Sequence, residues 1–405
     1  MILDLEVENF MSLRDTQRVE LVVGAGVENS EKLGLAWPGA DVRVSKVAAF
    51  FGPNASGKST VLRVLPFLSA FLKDSFQLSP DASLNCEPFG DEISQDKPTR
   101  FSVGFPGPEV ITEQAAIDPI GACCRYNYEL RLTYRGGRRV VLGESLHYWP
   151  TLTKRKTRLF ERDASGEVAA GKEFYLSKHR AVLKSILRDN ASVISTLAQL
   201  DHGPSLMFRN AASQIVSNIF IEKTAVDETA MLRYYQANPT MLAAVNSDLK
   251  RIDLGIRSMS IQLGTAGPFA TFEHEGLSRP VPLHLESHGT RQFIQIYPWI
   301  MGALISGGIA VLDEMDIAIH PHVLPEILRW FYSETRNPKG AQLWMSCQNA
   351  SLLEELAKEE VWFCEKDRSG ATSVYGLREI AGVRRVDNFY RKYMSGTYGA
   401  VPTIG

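Results

Sequence analysis

A nine-residue segment with two glycines, a lysine and a serine is the first candidate for chemistry in this sequence. It reads Gly52-Pro53-Asn54-Ala55-Ser56-Gly57-Lys58-Ser59-Thr60 and matches the pattern of a phosphate-binding loop, or P-loop. Such a loop needs glycines because its backbone bends tightly and brings N–H groups onto phosphate oxygens. Lys58 is expected to reach the β- and γ-phosphates, and Ser59 is expected to ligate Mg²⁺. The segment predicts a site for a nucleoside triphosphate and magnesium.

The residues on either side of this loop fit the same prediction. Val47–Phe51 is a short apolar run typical of a buried strand, and the helical pattern that opens at Val61 follows the loop. A helix N-terminus adds partial positive charge where the phosphates would bind. The alternative is a chance match in an ordinary loop. The strand–loop–helix context favours the phosphate site.

A second candidate segment combines an apolar run with two acids. Ile309–Leu312 is followed by Asp313 and Glu314, which is the Walker B pattern. A buried strand would deliver Asp313 to its end, where the carboxylate can hold Mg²⁺ through water, and Glu314 can act as the general base. Many strands end in acids, so the pattern gains its weight from its combination with the P-loop.

A third segment, Leu285–Arg291, precedes a predicted helix and could bind another anion. Ser287 and the backbone at Gly289 would form the site at the helix N-terminus. The alternative is an ordinary helix cap, in which Ser287 satisfies free N–H groups. Its position ahead of Walker B is the order found in ABC-type ATPases. There, such a signature segment contacts ATP bound to a partner subunit, so we expect at least a head-to-tail homodimer and possibly a higher homo-oligomer.

Together, these segments resemble the ABC-type AAA-domain ATPases of prokaryotic antiphage defence, which are relatives of the OLD and SMC ATPase heads. The resemblance also includes Asn9–Ser12, the D-loop-like Met315–Pro321 with His320, and the C-terminal Tyr393–Pro402, which is the most specific for the defence branch. The size and single-head layout resemble the ATPase subunit of PARIS systems. The resemblance implies an ATPase that senses a trigger, such as a phage protein, and controls a separate effector, expected to be a Toprim nuclease encoded nearby.

One position departs from the family pattern. The strand after Walker B usually ends in Thr-Thr-His-Asn, whereas this chain has Ser346-Cys347-Gln348-Asn349. Glutamine can donate a hydrogen bond or orient water, as it does in Ras-type GTPases, but it cannot titrate. We therefore expect ATP binding with slow hydrolysis. Lys58, Glu314 and Gln348 are the predicted catalytic residues, and His320 joins the predicted nucleotide contacts.

The sequence predicts an α/β fold of the ABC-type ATPase head, with a mixed central sheet and an antiparallel β-subdomain. Residues 1–173 form the predicted N-terminal lobe with the P-loop, and 252–405 form the C-terminal lobe. The N-terminal lobe includes strands predicted over Arg138–Leu142 and Ser145–Trp149. Residues 174–251 form a predicted helical insertion that includes a helix over Pro204–Phe220. Phe293–Leu312 is long and apolar, but Pro298 and Gly307-Gly308 interrupt it, so it predicts a buried helix followed by a strand rather than a membrane span.

Composition favours a cytoplasmic protein without a general affinity for nucleic acid. The net charge is −2 over 405 residues, and the early acids in Met1–Asn9 do not resemble a signal peptide. The five cysteines form no CxxC pair, which fits a reducing compartment. The basic run Thr153–Arg158 could contact nucleic acid, although a solvated hairpin flank is favoured.

Three other functions are alternatives to the defence switch. An SMC-like DNA-binding ATPase of repair or chromosome maintenance is the main alternative, but the helical insertion is too short for a long coiled-coil arm. A transporter ATPase would carry a Leu-Ser-Gly-Gly-Gln signature, which this sequence lacks. A fused nuclease, as in OLD enzymes, would need more residues after Glu314 than remain beyond those of the ATPase fold.

Overall fold

The computed structural model describes residues 1–111, 122–219, 228–252, 255–265, 267–317 and 319–402. Within these ranges the helices are α1 (Lys58–Asp74), α2 (Glu92–Gln95), α3 (Arg180–Ile186), α4 (Val193–Ala198), α5 (Gly203–Ser213), α6 (Glu228–Ala237), α7 (Pro239–Ile252), α8 (His288–Ser306), α9 (Val323–Tyr332) and α10 (Phe389–Met394). The strands are β1 (Asp4–Glu8), β2 (Gln17–Glu20), β3 (Val22–Val23), β4 (Leu33–Leu35), β5 (Arg43–Ser45), β6 (Val47–Phe51), β7 (Thr99–Pro108), β8 (Cys123–Arg135), β9 (Arg138–Trp149), β10 (Thr157–Arg162), β11 (Val168–Ala170), β12 (Ile215–Ser217), β13 (Ile256–Gly264), β14 (Gly267–His274), β15 (Val281–Pro282), β16 (Ile309–Leu312), β17 (Gln342–Ser346), β18 (Val361–Lys366) and β19 (Thr372–Gly376).

A six-stranded mixed sheet has the order β12-β16-β17-β6-β18-β19. Its first five strands are mutually parallel, and β19 runs antiparallel to β18. Every residue of β6, β16 and β17 is buried, as expected for parallel strands covered on both faces. Because parallel strands end at the same edge of a sheet, the segments that follow these strands lie close together.

A seven-stranded antiparallel sheet has the order β11-β10-β9-β8-β7-β1-β2. Its β8–β9 turn contains Gly136 and Gly137 with φ of 59° and 76°, the backbone conformation that a two-residue hairpin turn needs. Two strands predicted within 138–149 are one continuous strand, β9. The basic run Thr153–Arg158 lies largely in the β9–β10 connection, where residues 151–156 are exposed. The two large sheets confirm the predicted fold class.

Helix α1 packs between the two large sheets. Its residues Val61, Leu62 and Leu65 belong to one buried cluster that also contains aromatic side chains of both sheets. On the mixed sheet, Phe50 stacks with Trp344 at 5.8 Å and with Trp362 at 6.5 Å between ring centroids. Buried aromatic pairs of this kind contribute about 0.5–1.5 kcal/mol each beyond area burial. The helix that follows the P-loop is thereby fixed to the sheet that carries it.

The opposite face of the mixed sheet is covered by α8 and α9. Both helices contribute to a second buried cluster with β6, β16 and β17. The predicted helix followed by a strand within Phe293–Leu312 is confirmed, since α8 ends at Ser306 and β16 begins at Ile309. In the described part of the chain, no helix combines the length and apolar composition needed to cross a bilayer.

The predicted helical insertion, residues 174–251, needs correction because it contains a strand of the mixed sheet. The helix predicted over Pro204–Phe220 ends at Ser213, and β12 then pairs in parallel with β16. The β-branched residues Ile215 and Val216 favour a strand, and Ile309 N donates to Gln214 O at 2.9 Å. Phe220 lies outside the described residues. The division into three domains otherwise stays a prediction.

Candidate nucleotide site

The loop after β6 has a backbone shape that requires its two glycines. Gly52 has φ of 147° and Gly57 has φ of 103°. A Cβ atom at Gly52 would lie 2.3 Å from the carbonyl oxygen of Cys364, and one at Gly57 would lie 2.3 Å from Thr372 Oγ1. Any other residue would strain or displace the loop. The segment from Gly52 to Thr60 is therefore a tight turn that leads directly into α1.

Lys58, the first residue of α1, is folded back onto the loop. Its Nζ donates to the carbonyl oxygens of Gly52 at 2.8 Å and Pro53 at 2.9 Å. Burial lowers the pKa of Lys58, and the nearby carboxylates of Asp313 and Glu314 partly oppose that shift. These two carbonyl bonds hold the ammonium group inside the loop, where an anion would meet it.

Ser56 supplies an observation that bears directly on a ligand. Its side-chain oxygen is buried and makes no hydrogen bond to any residue that the structure describes, although buried polar groups are normally paired. It belongs to the loop that precedes the N-terminus of α1, a helix of 17 residues. An anion bound to this loop would meet both the helix N–H groups and a hydroxyl that has no other partner.

The end of β16 holds the two acids in a defined arrangement. Asp313 N donates to Asn218 Oδ1 at 2.8 Å, and Asn218 Nδ2 donates back to Asp313 O at 3.0 Å. Ser346 Oγ donates to Asp313 Oδ1 at 2.5 Å and accepts from Glu314 N at 2.7 Å. Glu314 has φ of 52°, a left-handed conformation that is costly for glutamate. Ser346, on the neighbouring strand, thus links both acids.

Sequence reasoning missed Asn218 and Asp316 as positioning residues. Asn218 follows β12, the strand that was itself predicted as helix. Asp316 Oδ2 accepts the backbone N–H groups of Gln348 at 2.8 Å and Asn349 at 2.6 Å. The signal for Asp316 was present, as it is a third acid in Asp313-Glu314-Met315-Asp316. It fixes the turn that carries Gln348, whose own side chain is exposed.

These segments meet in one cavity of about 390 Å³, within the size range of small-molecule sites. The carboxyl ends of β6, β16, β17 and β18 all contribute to it. Its lining residues are Met11, Ser12, Asn54, Ala55, Ser56, Gly57, Lys58, Ser59, Thr60, Asp313, Glu314, Ser346, Gln348 and Lys366. Gly52 and Pro53, the first two residues of the loop, are not among the described residues that line the cavity, and their carbonyl oxygens accept from Lys58 Nζ. Met11, Ser12, Ser346 and Lys366 were not among the predicted site residues.

The donor set at this cavity fits a magnesium–nucleotide complex. Mg²⁺ is usually bound by one or two carboxylates, with phosphate oxygens and water completing an octahedron. Ser59 and Asp313 would supply the protein ligands. Among the described residues, no group of three or more His, Cys, Asp or Glu side chains could hold a metal. Magnesium here would therefore need the phosphates as ligands.

The structure leaves three predicted nucleotide contacts away from this cavity. Ser287 is exposed and caps α8, since its Oγ accepts from Thr290 N at 3.0 Å. Gly289 follows in the first turn of α8. His320 is exposed, and its ring stacks on His322 with 5.3 Å between centroids. Ala318, in the predicted D-loop, lies outside the described residues. Of the described residues that line the cavity, none is Ser287, Gly289 or His320.

The C-terminal motif packs against the strands that carry the loop. Tyr393 stacks on Phe363 of β18 with 5.4 Å between centroids and lies 6.4 Å from Phe51 of β6. Its hydroxyl donates to Ala400 O at 2.8 Å, which closes the motif on itself. The motif is thus part of the support of the P-loop strand.

Comparison with known proteins gives a family model and a set of similar solved structures that includes two SMC heads. The family model described as "AAA domain, putative AbiEii toxin, Type IV TA system" matches residues 47–353. The structure of an SMC head bound to the C-terminal winged-helix domain of ScpA is 12% identical, with a TM-score of 0.45, over 93% of this chain and 97% of that chain. The SMC head domain from Thermotoga maritima is 14% identical, with a TM-score of 0.42, over 93% and 98%. No curated protein sequence matches the chain.

Proposed function

Because this chain belongs to the AAA-domain family of ATPases, we propose that it is a magnesium-dependent ATP hydrolase that works as a slow switch. The observation that carries the proposal is the convergence of the P-loop, Asp313, Glu314 and Gln348 on one cavity. Lys58 would neutralise the β- and γ-phosphates, and Ser59 and Asp313 would hold Mg²⁺. Glu314 would take the proton of the attacking water.

The proposed slowness rests on Gln348. Its backbone N–H is held by Asp316, so the Cα atom of Gln348 has a fixed position beside the cavity that the residue lines. An amide can orient water, but it cannot carry the charge of the switch histidine found in the resembling family. Tight ATP binding with infrequent turnover suits a switch, because the bound state then lasts long enough to be detected by a partner.

We further propose that two chains share each ATP. Ser287 and Gly289 lie at the N-terminus of α8, away from the cavity of their own chain, and Ser287 is exposed. In a head-to-tail pair, this N-terminus would contact the γ-phosphate held by the partner's P-loop. A closed pair with twofold symmetry satisfies both sites at once, and His320 would lie along the seam.

The cellular role that we propose is antiphage defence in the cytoplasm. The ATP-bound assembly would respond to a phage protein and release or activate a separate effector, expected to be a Toprim nuclease encoded nearby. Support comes from the C-terminal motif Tyr393–Pro402 and from the toxin–antitoxin system in the family description. The five described cysteines are all free thiols, which suits a reducing compartment.

Two measurements test the two levels of this proposal. For the enzyme, the purified protein should release phosphate from ATP in the presence of Mg²⁺, and this release should stop when EDTA removes the metal. For the role, cells that carry the gene with its neighbouring reading frame should plate phage less efficiently than cells with the Lys58→Ala gene. Equal plating by both strains would reject the defence role, while absence of metal-dependent turnover would reject the enzyme.

A further inference from the structure

We propose that Lys366 binds the α-phosphate of the nucleotide and that the β18–β19 hairpin is a nucleotide-binding element. Lys366 is the last residue of β18 and lines the cavity together with the P-loop. The inference rests on the proposed function, since it assigns a further contact within the same ATP site.

The order of strands in the sheet decides which phosphate Lys366 can reach. Strand β6 lies between β17 and β18, and β16 lies beyond β17. Asp313 and Glu314 follow β16, so the γ-phosphate and its attacking water belong on that side of the loop. Lys366 lies on the opposite side of β6, where the chain of phosphates continues toward the nucleoside. The α-phosphate is the anion that this side of the cavity would receive.

Hydrogen bonds join the hairpin to the P-loop, and these bonds fix the position of the Lys366 backbone. In the β18–β19 register, Lys366 is opposite Thr372. Thr372 Oγ1 lies 2.9 Å from both Ser56 O and Ser12 Oγ, and Thr372 N donates to Ser12 O at 2.7 Å. Ser12 Oγ in turn donates to Thr60 Oγ1 in the first turn of α1 at 3.2 Å. The hairpin, the N-terminal turn and the P-loop therefore form one connected unit.

The tip of the hairpin is also closed by its own hydrogen bonds. Asp367 Oδ1 accepts from Ser369 N at 2.8 Å and from Ala371 N at 2.9 Å. Asp367 N donates to Ala371 O at 2.9 Å. A turn held in this way gives Lys366 a fixed backbone, so its side chain alone has to move to meet a phosphate.

Charge completes the argument, because Lys366 is a free cation on the cavity wall. Its side chain is exposed and, within the described ranges, forms no ion pair with a carboxylate. Lys58, the other lysine of the cavity, is held by Gly52 and Pro53 and lies near Asp313 and Glu314. The two lysines would thus bind different parts of the triphosphate. An ammonium–phosphate contact is among the stronger hydrogen bonds in proteins.

The test compares ATP and ADP binding by Lys366→Met, Lys366→Arg and Arg368→Met variants of the full chain. Arg368 lies in the same hairpin, is exposed, and does not line the cavity, so it controls for loss of a positive charge. We expect Lys366→Met to raise the Kd for both nucleotides roughly tenfold. Lys366→Arg and Arg368→Met should stay within about twofold of the wild type, because each leaves a cation on the cavity wall.

AMP is titrated as well, because it keeps the α-phosphate and lacks the β-phosphate; a Kd for AMP that Lys366→Met leaves unchanged would move the contact to the β-phosphate and overturn the assignment. A Kd for ADP that Lys366→Met leaves unchanged while the Kd for ATP rises would place the lysine at the γ-phosphate and overturn the assignment. Equal increases in Kd for Lys366→Met and Arg368→Met would mean that any positive charge in the hairpin attracts the nucleotide, and this result would also overturn the assignment. Lys58→Ala is measured alongside. If Lys58→Ala weakens ATP binding while Lys366→Met leaves it unchanged, only the assignment of Lys366 fails. If Lys58→Ala also binds normally, the proposed ATP site fails.

Discussion

The P-loop region and the signature segment differ in how completely the chain builds them. The loop from Gly52 to Thr60 has two obligatory glycines, and it is held by the bonds from Lys58 Nζ to two of its carbonyls and by the bond from Thr372 Oγ1 of β19 to Ser56 O. The signature segment at Ser287 has a helix cap and an exposed serine. One half-site is therefore preformed, whereas the other has only the geometry of a helix N-terminus.

In the proposed head-to-tail pair, this difference means that each chain brings a preformed loop and receives the signature segment of its partner. A preformed loop can bind phosphates within one chain, because its backbone is already bent and its cation is already buried. An exposed helix N-terminus gains a ligand only when something is brought to it. Binding and turnover should therefore respond differently to mutations in the two regions, and the following predictions use that difference.

Lys58→Ala should have the largest effect. It removes the cation of the preformed half, and we expect ATP turnover to fall on the order of 100-fold or more. The thermal midpoint should change little, since Nζ bonds to two loop carbonyls and to no other described residue, and its burial already disfavours the charged form. Nucleotide titration together with thermal unfolding checks both points. A folded variant with wild-type ATP affinity would contradict the P-loop assignment.

Glu314→Gln should separate binding from chemistry within the same half. Removal of a general base slows reactions by about 100-fold or more, whereas the glutamine keeps the shape of the side chain and leaves Glu314 N bound to Ser346. We expect ATP affinity within about threefold of wild type and a strongly reduced rate of phosphate release. Equal turnover by both proteins would assign Glu314 a structural role.

Mixing Lys58→Ala chains with Ser287→Arg chains tests the incomplete half directly. Each variant should be inactive alone, since one lacks the loop cation and the other blocks the partner's phosphate. When equal amounts of the two variants pair at random, about half of the pairs are mixed. In each mixed pair, one of the two sites combines an intact P-loop with an intact signature. About a quarter of wild-type turnover should therefore return.

Two results of the mixing experiment would count against a shared site. One is full turnover by a strictly monomeric protein. The other is absence of recovery when native mass spectrometry detects mixed pairs, provided that each site can fire alone. A mixed pair of one wild-type chain and one Lys58→Ala chain tests whether the two sites act independently. If they do, this pair should keep half of the activity of a wild-type pair.

Asp316→Ala should have a smaller effect, because Asp316 positions Gln348 without touching the nucleotide. Loss of the carboxylate oxygen that accepts both N–H groups loosens the turn that carries Gln348, and we expect a roughly tenfold lower rate with unchanged ATP affinity. Asp163→Ala is the matched control, since Asp163 Oδ1 also accepts two backbone N–H groups, from Ser165 and Glu167, in a distant turn. Equal losses in both variants would mean that Asp316 is merely structural.

Sequence patterns predicted the parts of the site that follow from local chemistry. Gly52, Gly57, Lys58 and the pair of acids after β16 can be recognised because each depends on its immediate neighbours in the chain. The fold class followed from the same strand–loop–helix order together with the run of antiparallel strands. These features need no knowledge of which distant segments meet.

The features that were missed depend on long-range pairing. Strand β12 is only three residues long and follows a helix directly. It is a strand because it pairs with β16, and its own sequence does not show that pairing. Asn218 could not be recognised before that pairing was known, because its bonds to Asp313 exist only in the sheet. Lys366 reaches the cavity because β18 lies beside β6. A spacing along the chain cannot reveal such an arrangement.

The smallest expected effect comes from Gln348→His, which restores the residue of the resembling family. Gln348 follows β17 at the mouth of the cavity, and its backbone is held by Asp316. A histidine there would titrate near pH 6.5 and, when protonated, would attract the γ-phosphate. The ratio of variant to wild-type turnover should therefore be highest at low pH and should fall, by roughly a few fold, as pH rises through about 6.5.

Measuring this ratio from pH 5.5 to pH 8.5, about one pH unit or more on each side of the expected pKa, removes effects that both proteins share. Gln348→Ala is the control, because it has neither an amide to orient water nor a titratable ring, and its ratio should stay flat. A flat ratio for Gln348→His as well would mean that this side chain does not approach the γ-phosphate. The proposed slow turnover would then have to depend on the other proposed half of the site, the segment at Ser287 that a partner chain would supply.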